Sequence, residues 1–261
     1  MRNDGPSLTA RIVAVHRAAL ERPSTPTGAP DADDRLCTDL AQGFGDAGDD
    51  VFAWVAARTR FFDDEVLDAL DRGLRQIVIL GAGYDGRGLR FRSPGVTFFE
   101  VDHPITQADK RSRLDRLAVG TDGIVFVPHD LAAGGLSPAL AGAGHDAARP
   151  SLFLAEGLLR YLPEATVHEL FTVTRERSAP GSRFALTFST READAVVSVE
   201  AATREALLGD LGEHVLTVPP RATALQWLVD AGWHPEVVDD VATRSKSDGD
   251  GRLLIRAALA R

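Results

Sequence analysis

A single cysteine, Cys37, stands in the 261 residues. One cysteine forms no intramolecular disulfide and no cysteine-based zinc cluster. Nothing near it supplies the histidine partner of a nucleophile, so it reads as a small apolar packing residue. Met1 is the only methionine, which excludes a methionine-rich interface. Basic residues are outnumbered, 29 to 38, for a net charge of −9. With no positive excess to neutralise phosphates, a nucleic-acid partner is not expected. The apolar run near the N-terminus is too short and too interrupted for a signal peptide or a membrane span. A cytoplasmic protein with no membrane partner is therefore expected. Metal signals are missing too, with no paired histidines at helical spacing and no acidic calcium loop. The "DADD" at 31–34 reads as a helix start or a solvated turn.

The length suits one α/β unit spanning 1–261, and the hydrophobic share of 44% is ordinary for a globular chain. Residues 1–75 read as a helical extension or lid. It holds an amphipathic run at 8–20, a Pro/Ser/Thr/Asp-rich loop at 23–34, and one or two helices over 51–72 closed by Gly73. Residues 76–188 then alternate. Apolar strands are expected at 76–80, 96–102, 123–130, 149–157 and 182–188, with helices after the second and fourth. Continuous apolar strands between helices indicate a mostly parallel sheet covered on both faces. Residues 189–233 are expected to form a small cap and a helix, and 234–261 a closing strand pair.

The first strand runs into "GAGYDG", which matches Gly-x-Gly-x-x-Gly with Gly81, Gly83 and Gly86. In a parallel sheet this loop lies at the carboxyl ends of the strands, where ligands bind and bare backbone allows close approach. Asp102 ends the next strand about 20 residues on, where an acid accepts both ribose hydroxyls of an adenosine. Glu100, two residues earlier on the same side, is a supporting acceptor. NAD and S-adenosylmethionine both present an adenosine. The long helical prefix and Asp85, an anion where a pyrophosphate would sit, favour S-adenosylmethionine.

Five segments in order, "RTRFFDDEVLDAL", "QIVILGAGYDGR", "FFEVDHPITQADKRSRL", "VPHDL" and "FLAEGLLRYL", resemble the leucine carboxyl methyltransferase family, including its tetracenomycin-type polyketide O-methyltransferase branch. The resemblance runs over about 51–188. It implies a class I, Rossmann-like methyltransferase fold: a seven-stranded, mostly parallel sheet with the last strand antiparallel and helices on both faces. It implies S-adenosylmethionine as cofactor, with S-adenosylhomocysteine as product. Arg58 would bind the methionine carboxylate and Glu156 the ammonium. Gly81, Ala82 and Gly83 would line the methionine and ribose, Asp102 would take the ribose hydroxyls, and His103, which Pro104 also suits to cap the next helix, is counted among the cofactor residues. Asp130 and Leu131 would frame the adenine. Two departures stand out: Gly86 replaces a threonine common in relatives, and Arg160 replaces an apolar residue.

The acceptor is less legible. A carboxylate is already ionised at neutral pH, whereas a phenol with a pKa near 10 wants a general base. His103, His129 and Tyr161 lie near strand ends without a distinctive constellation. The expected activity is O-methylation of a carboxylate or hydroxyl on a small molecule or peptide, in specialised metabolism. Tyr161 and Arg160 are the candidates for positioning the acceptor. An NAD-dependent oxidoreductase and a non-catalytic S-adenosylmethionine-binding protein are the alternatives. Monomer and homodimer are both open.

Overall fold

The computed structural model describes residues 5–42, 49–191, 209, 214–240 and 250–259. Three helices come first: α1 (Leu8–Ala18), α2 (Pro30–Ala41) and α3 (Asp49–Asp71). Ser7 caps α1, its hydroxyl accepting the Ala10 N–H at 3.1 Å. The loop expected over 23–34 is shorter, because α2 begins inside it. Pro30 occupies the first helical position, where a missing N–H costs nothing, and Asp31 and Asp33 favour the positive end of the helix. The segment expected as one or two helices is one, α3. Phe62, Val66 and Ala69 recur along its buried face. It stops at Gly73, whose φ is +82°. The Leu74 N–H reaches the Ala69 carbonyl and the Gly73 N–H reaches Leu70, each at 2.9 Å, the paired bonds of a Schellman end.

The chain then alternates through β1 (Gln76–Leu80), α4 (Arg87–Arg90), β2 (Thr97–Asp102), α5 (Pro104–Arg116), β3 (Ile124–Pro128), α6 (Leu136–Gly142), β4 (Ser151–Ala155), α7 (Glu164–Glu176) and β5 (Arg183–Arg191). It closes with α8 (Arg221–Asp230), β6 (Trp233–Asp240) and β7 (Asp250–Leu259). The sheet order is β3-β2-β1-β4-β5-β7-β6, with β7 antiparallel to both neighbours, as expected. The third and fourth strands are shorter than their apolar runs. The short α6 carries proline in its first turn and glycine at its end, which hides it from periodicity. The expected cap falls mostly on 192–208 and 210–213, outside the described residues. Its end is α8, which precedes β6.

Both faces of the sheet are covered. Val78, Leu80, Phe153, Phe171, Phe184 and Trp233 form the core beneath α6, α7 and α8. Ile77, Ile79, Phe62, Phe91 and Phe98 form the core beneath α3 and α4. A smaller cluster of Ala14, Leu36, Leu40, Tyr84 and Leu114 ties α1, α2 and α5 together near the glycine loop. The strand order turns at β1, which is flanked by β2 and β4. The carboxyl ends of these three strands therefore frame the crevice where such sheets bind ligands.

A buried charge lattice joins the helical extension to this crevice. Arg87, with no exposed surface, gives Nε to Asp63 at 2.8 Å and Nη1 to Asp85 and Glu156 at 2.5 and 2.6 Å. Arg22 bridges Asp33 and Asp63 at 2.7 and 2.8 Å, and Arg90 reaches Asp33 at 2.8 Å. These pairs differ in kind from the exposed Arg72–Asp68 pair. An exposed pair contributes about 0–1 kcal/mol. Removing one member of a buried set strands its partners and costs about 3–5 kcal/mol. Arg87→Met is thus expected to destabilise the chain by about 3–5 kcal/mol in urea unfolding. A loss below about 1 kcal/mol would mean that the lattice does not hold the extension in place.

Candidate functional site

The glycine loop is built for close approach. Gly81 and Gly83 have φ of +64° and +49°, where an L side chain is strained. A Cβ on Gly81 would lie 2.8 Å from Leu158 Cδ1, and one on Gly83 2.8 Å from Ala10 Cβ. The Gly83 N–H donates to Asp102 Oδ2, and the His103 N–H donates to Asp102 Oδ1 at 2.6 Å. Burial raises the Asp102 pKa above the ordinary carboxyl value, and these two N–H groups oppose the shift. Arg87 and Arg90 pair within the charge lattice, with Asp63 and Asp33, and not with Asp102.

One cavity of about 120 Å³ lies over this loop. It brings together Arg58, Gly81, Ala82, Gly83, Asp102, Glu156 and Tyr161 from the sequence-based set. Arg58 donates from Nε to Glu156 Oε1 at 2.7 Å. Arg17 Nη2 reaches the same oxygen at 2.6 Å, while Arg87 Nη1 holds Oε2. Burial disfavours the Glu156 charge, yet the guanidiniums of Arg17, Arg87 and Arg58 hold its carboxyl well below the ordinary value.

Four sequence-based candidates do not line the cavity. The His103 ring caps α5, accepting the Ile105 N–H at 3.4 Å. Asp130 accepts the Ala132 N–H at 3.0 Å and starts the 3₁₀ turn Leu131–Ala133, and Leu131 packs on the core. The His129 N–H bonds the Asp102 carbonyl at 2.8 Å, so Asp130 follows the residue that pairs with the ribose-acid candidate. The Arg160 guanidinium lies 5.8 Å from the centre of the Tyr161 ring, and its carbonyl accepts the Leu216 and Thr217 N–H groups.

Two readings need correction. Glu100 does not support Asp102, because it is buried and bound to Lys110 Nζ at 2.5 Å. Burial pushes its pKa up to about 7 against that lysine. Nor is Asp85 a free anion at a helix start. It accepts the Arg87 N–H at 2.7 Å and pairs with the Arg87 guanidinium. Sequence reasoning missed Arg17 entirely. A lone arginine on an amphipathic helix looks like a solvated charge, and only the fold brings it to Glu156.

The seven-stranded sheet is that of the class I S-adenosylmethionine methyltransferases. A methyltransferase from Thermobifida fusca, provisionally so named, superposes with a TM-score of 0.61 at 14% identity, over 98% of this chain and 96% of that one. A second fold match is the Burkholderia thailandensis 1,6-didemethyltoxoflavin-N1-methyltransferase with S-adenosylhomocysteine. It gives a TM-score of 0.53 at 16% identity, over 92% and 94% of the two chains. The leucine carboxyl methyltransferase model matches residues 16–175, and the chain belongs to that family. A Mycolicibacterium smegmatis protein, provisionally named an S-adenosyl-L-methionine-dependent methyltransferase, is 38% identical over 195 residues, covering 70% of this chain. The chain spans about three-fifths of the length of the curated relatives it matches.

The depressed Glu156 pKa carries a sign. A carboxyl held below its ordinary 4.5 contributes stability that is present above that pH and lost as pH falls toward the folded-state value. Glu156→Gln is therefore expected to flatten the fall in stability below about pH 4.5 in acid-side urea titrations. An unchanged slope would remove Glu156 from the acid transition.

Proposed function

We propose that the protein is an S-adenosylmethionine-dependent O-methyltransferase acting on a carboxylate or hydroxyl of a small molecule or peptide. The observation that carries this reading is one cavity lined by Asp102, the Arg58–Glu156 pair and the bare backbone of Gly81 and Gly83. Asp102 ends β2 and Glu156 follows β4, the two strands that flank β1 and its glycine loop. The residues fit the cofactor. A carboxylate has about four acceptor positions, so Asp102 can take ribose hydroxyls beside its two backbone donors. Arg58 offers a fork to a carboxylate, and Glu156 offers an ionised partner to an ammonium. His103 supports the ribose end through its N–H on Asp102. Asp130 and Leu131, beyond β3, are assigned to the adenine.

Bound, S-adenosylmethionine supplies an electrophilic methyl group. The chain's part is to hold an acceptor oxygen in line within about 3 Å of that carbon. Tyr161 lines the cavity and stacks with Arg160, and this pair is assigned to the acceptor. Among the described residues no histidine lines the cavity, and an acceptor already ionised needs no general base. That chemistry selects a carboxylate over a phenol, and ester formation as the reaction.

A dinucleotide is the weaker reading. Pyrophosphate binding relies on the aligned dipoles of a helix N-terminus, and α4 is only four residues long. A cytoplasmic setting in specialised metabolism completes the proposal. Among the described residues no helix is long and apolar enough to cross a membrane.

Tritiated S-adenosylmethionine with a panel of acids, phenols and amines tests the reaction. The expected product is a methyl ester, which loses its label in mild alkali. An alkali-stable product would overturn the carboxylate assignment, and cofactor binding without transfer to any acceptor would favour a non-catalytic binding protein. Asp102→Ala is expected to weaken S-adenosylhomocysteine binding in calorimetry by about ten- to a hundredfold, the worth of charge-assisted hydrogen bonds. Unchanged affinity would take Asp102 out of the ribose role.

A further inference from the structure

Arg17 occupies the last turn of α1 and lines the cavity, with 7% of its surface exposed. Its Nη2 lies 2.6 Å from Glu156 Oε1 and its Nη1 3.7 Å from Asp85 Oδ2. Its Nε is buried without a hydrogen-bond partner among the described residues. A buried guanidinium donor left unmade is costly, so this nitrogen marks a missing acceptor beside the cavity.

Glu156 is also over-supplied. Oε1 receives both Arg17 and Arg58, while Oε2 receives Arg87. Arg87 is fixed from other sides by Asp63, Asp85 and the Thr59 carbonyl at 3.2 Å. Beyond Oε1, Arg17 makes a longer contact to Asp85 at 3.7 Å and Arg58 lies 5.6 Å from the centre of the Trp54 ring, so among the described residues these two are held more weakly than Arg87 and are the exchangeable ones. The cavity points the same way. Its volume of about 120 Å³ is well below the ~300–1,000 Å³ of typical ligand pockets. Ser7, Thr9, Ala10, Val13 and Arg17 of α1 and its cap form one wall. A nucleoside bearing an amino acid is larger than this volume, and α1 is a wall it would meet.

We infer that Arg17 is a partner-exchanging latch. Without cofactor it clamps α1 to Glu156. With cofactor its Nε and one Nη form a fork on the cofactor's carboxylate, and Glu156 Oε1 is released to take the ammonium. The exchange preserves charge pairing, since the zwitterion supplies one anion for Arg17 and one cation for Glu156. It also makes closure of α1 depend on the amino-acid part of the ligand and not on the nucleoside. This inference rests on the S-adenosylmethionine reading and adds to it a residue and a conformational role.

The test compares S-adenosylhomocysteine with 5′-methylthioadenosine, which carries the nucleoside and thioether but no amino acid. Calorimetry would be run on the wild-type chain and on Arg17→Met and Arg17→Lys, with thermal melts confirming folded protein. Arg17→Met is expected to weaken S-adenosylhomocysteine by about tenfold or more, the worth of a charge-assisted pair, and to leave 5′-methylthioadenosine unchanged. Arg17→Lys keeps the charge without the fork and is expected to fall between, which keeps the test open if the Met variant fails to fold. Amide hydrogen exchange over residues 8–18 is expected to slow with S-adenosylhomocysteine in the wild type and not in Arg17→Met. Equal weakening of both ligands would overturn the latch and leave Arg17 a structural residue, as would no weakening of either. A wild-type chain that binds neither ligand would instead bring down the cofactor reading, and the latch with it.

Discussion

A guanidinium that no water reaches must find its acceptors inside the protein, and Arg87 finds them on three separate segments. Asp63 comes from α3, Asp85 from the glycine loop and Glu156 from the end of β4. Such a cluster contributes little net stability, since desolvation offsets much of the attraction between its charges. What it imposes is placement, because any other arrangement would leave buried charges uncompensated. Through Arg22 and Arg90 the same constraint reaches Asp33 on α2, so the helical extension docks in one position over the sheet. The cavity follows from that docking: α1 supplies one wall, the loop after β1 its floor, and Glu156 its charged end.

The lattice also sets the electrostatics that the proposed cofactor would meet. Glu156 stays ionised although buried, because the arginines around it outweigh the cost of desolvation. Asp102 sits in the opposite balance, with its pKa raised by burial and restrained by two backbone N–H groups. A ligand with a positive amino group at one end and neutral hydroxyls at the other matches this contrast. The acceptor side is less defined by charge. Tyr161 faces the cavity, while Arg160 is anchored through its carbonyl to the segment before α8.

The sheet was legible because its strands are continuous apolar runs, and burial on both faces requires that pattern. β1 and the glycine loop fall where the sequence puts them. α2 was misjudged at its start because Pro30 and the following acids signal a turn as readily as a helix N-terminus. Asp102 was singled out from its strand end and Glu156 from the family resemblance, and both line the cavity. Arg17, Arg22, Arg87 and Arg90 were not recognised as a cluster, since their acid partners lie up to 139 residues away, as Glu156 does from Arg17. No local spacing encodes such pairing. Asp85, read from the sequence as an anion where a pyrophosphate would sit, is paired with the buried Arg87 two residues on, a pairing that depends on burial.

The claim at the centre of this account is that the arginine–Glu156 cluster receives the amino-acid end of S-adenosylmethionine. A crystal structure of the chain with S-adenosylhomocysteine tests it most directly. The account predicts the ligand carboxylate against Arg58 and Arg17, its ammonium at Glu156 Oε1, and its ribose hydroxyls at Asp102. A ligand bound elsewhere, or one bound over Gly81 and Gly83 with Arg17 and Arg58 both still on Glu156, would contradict it.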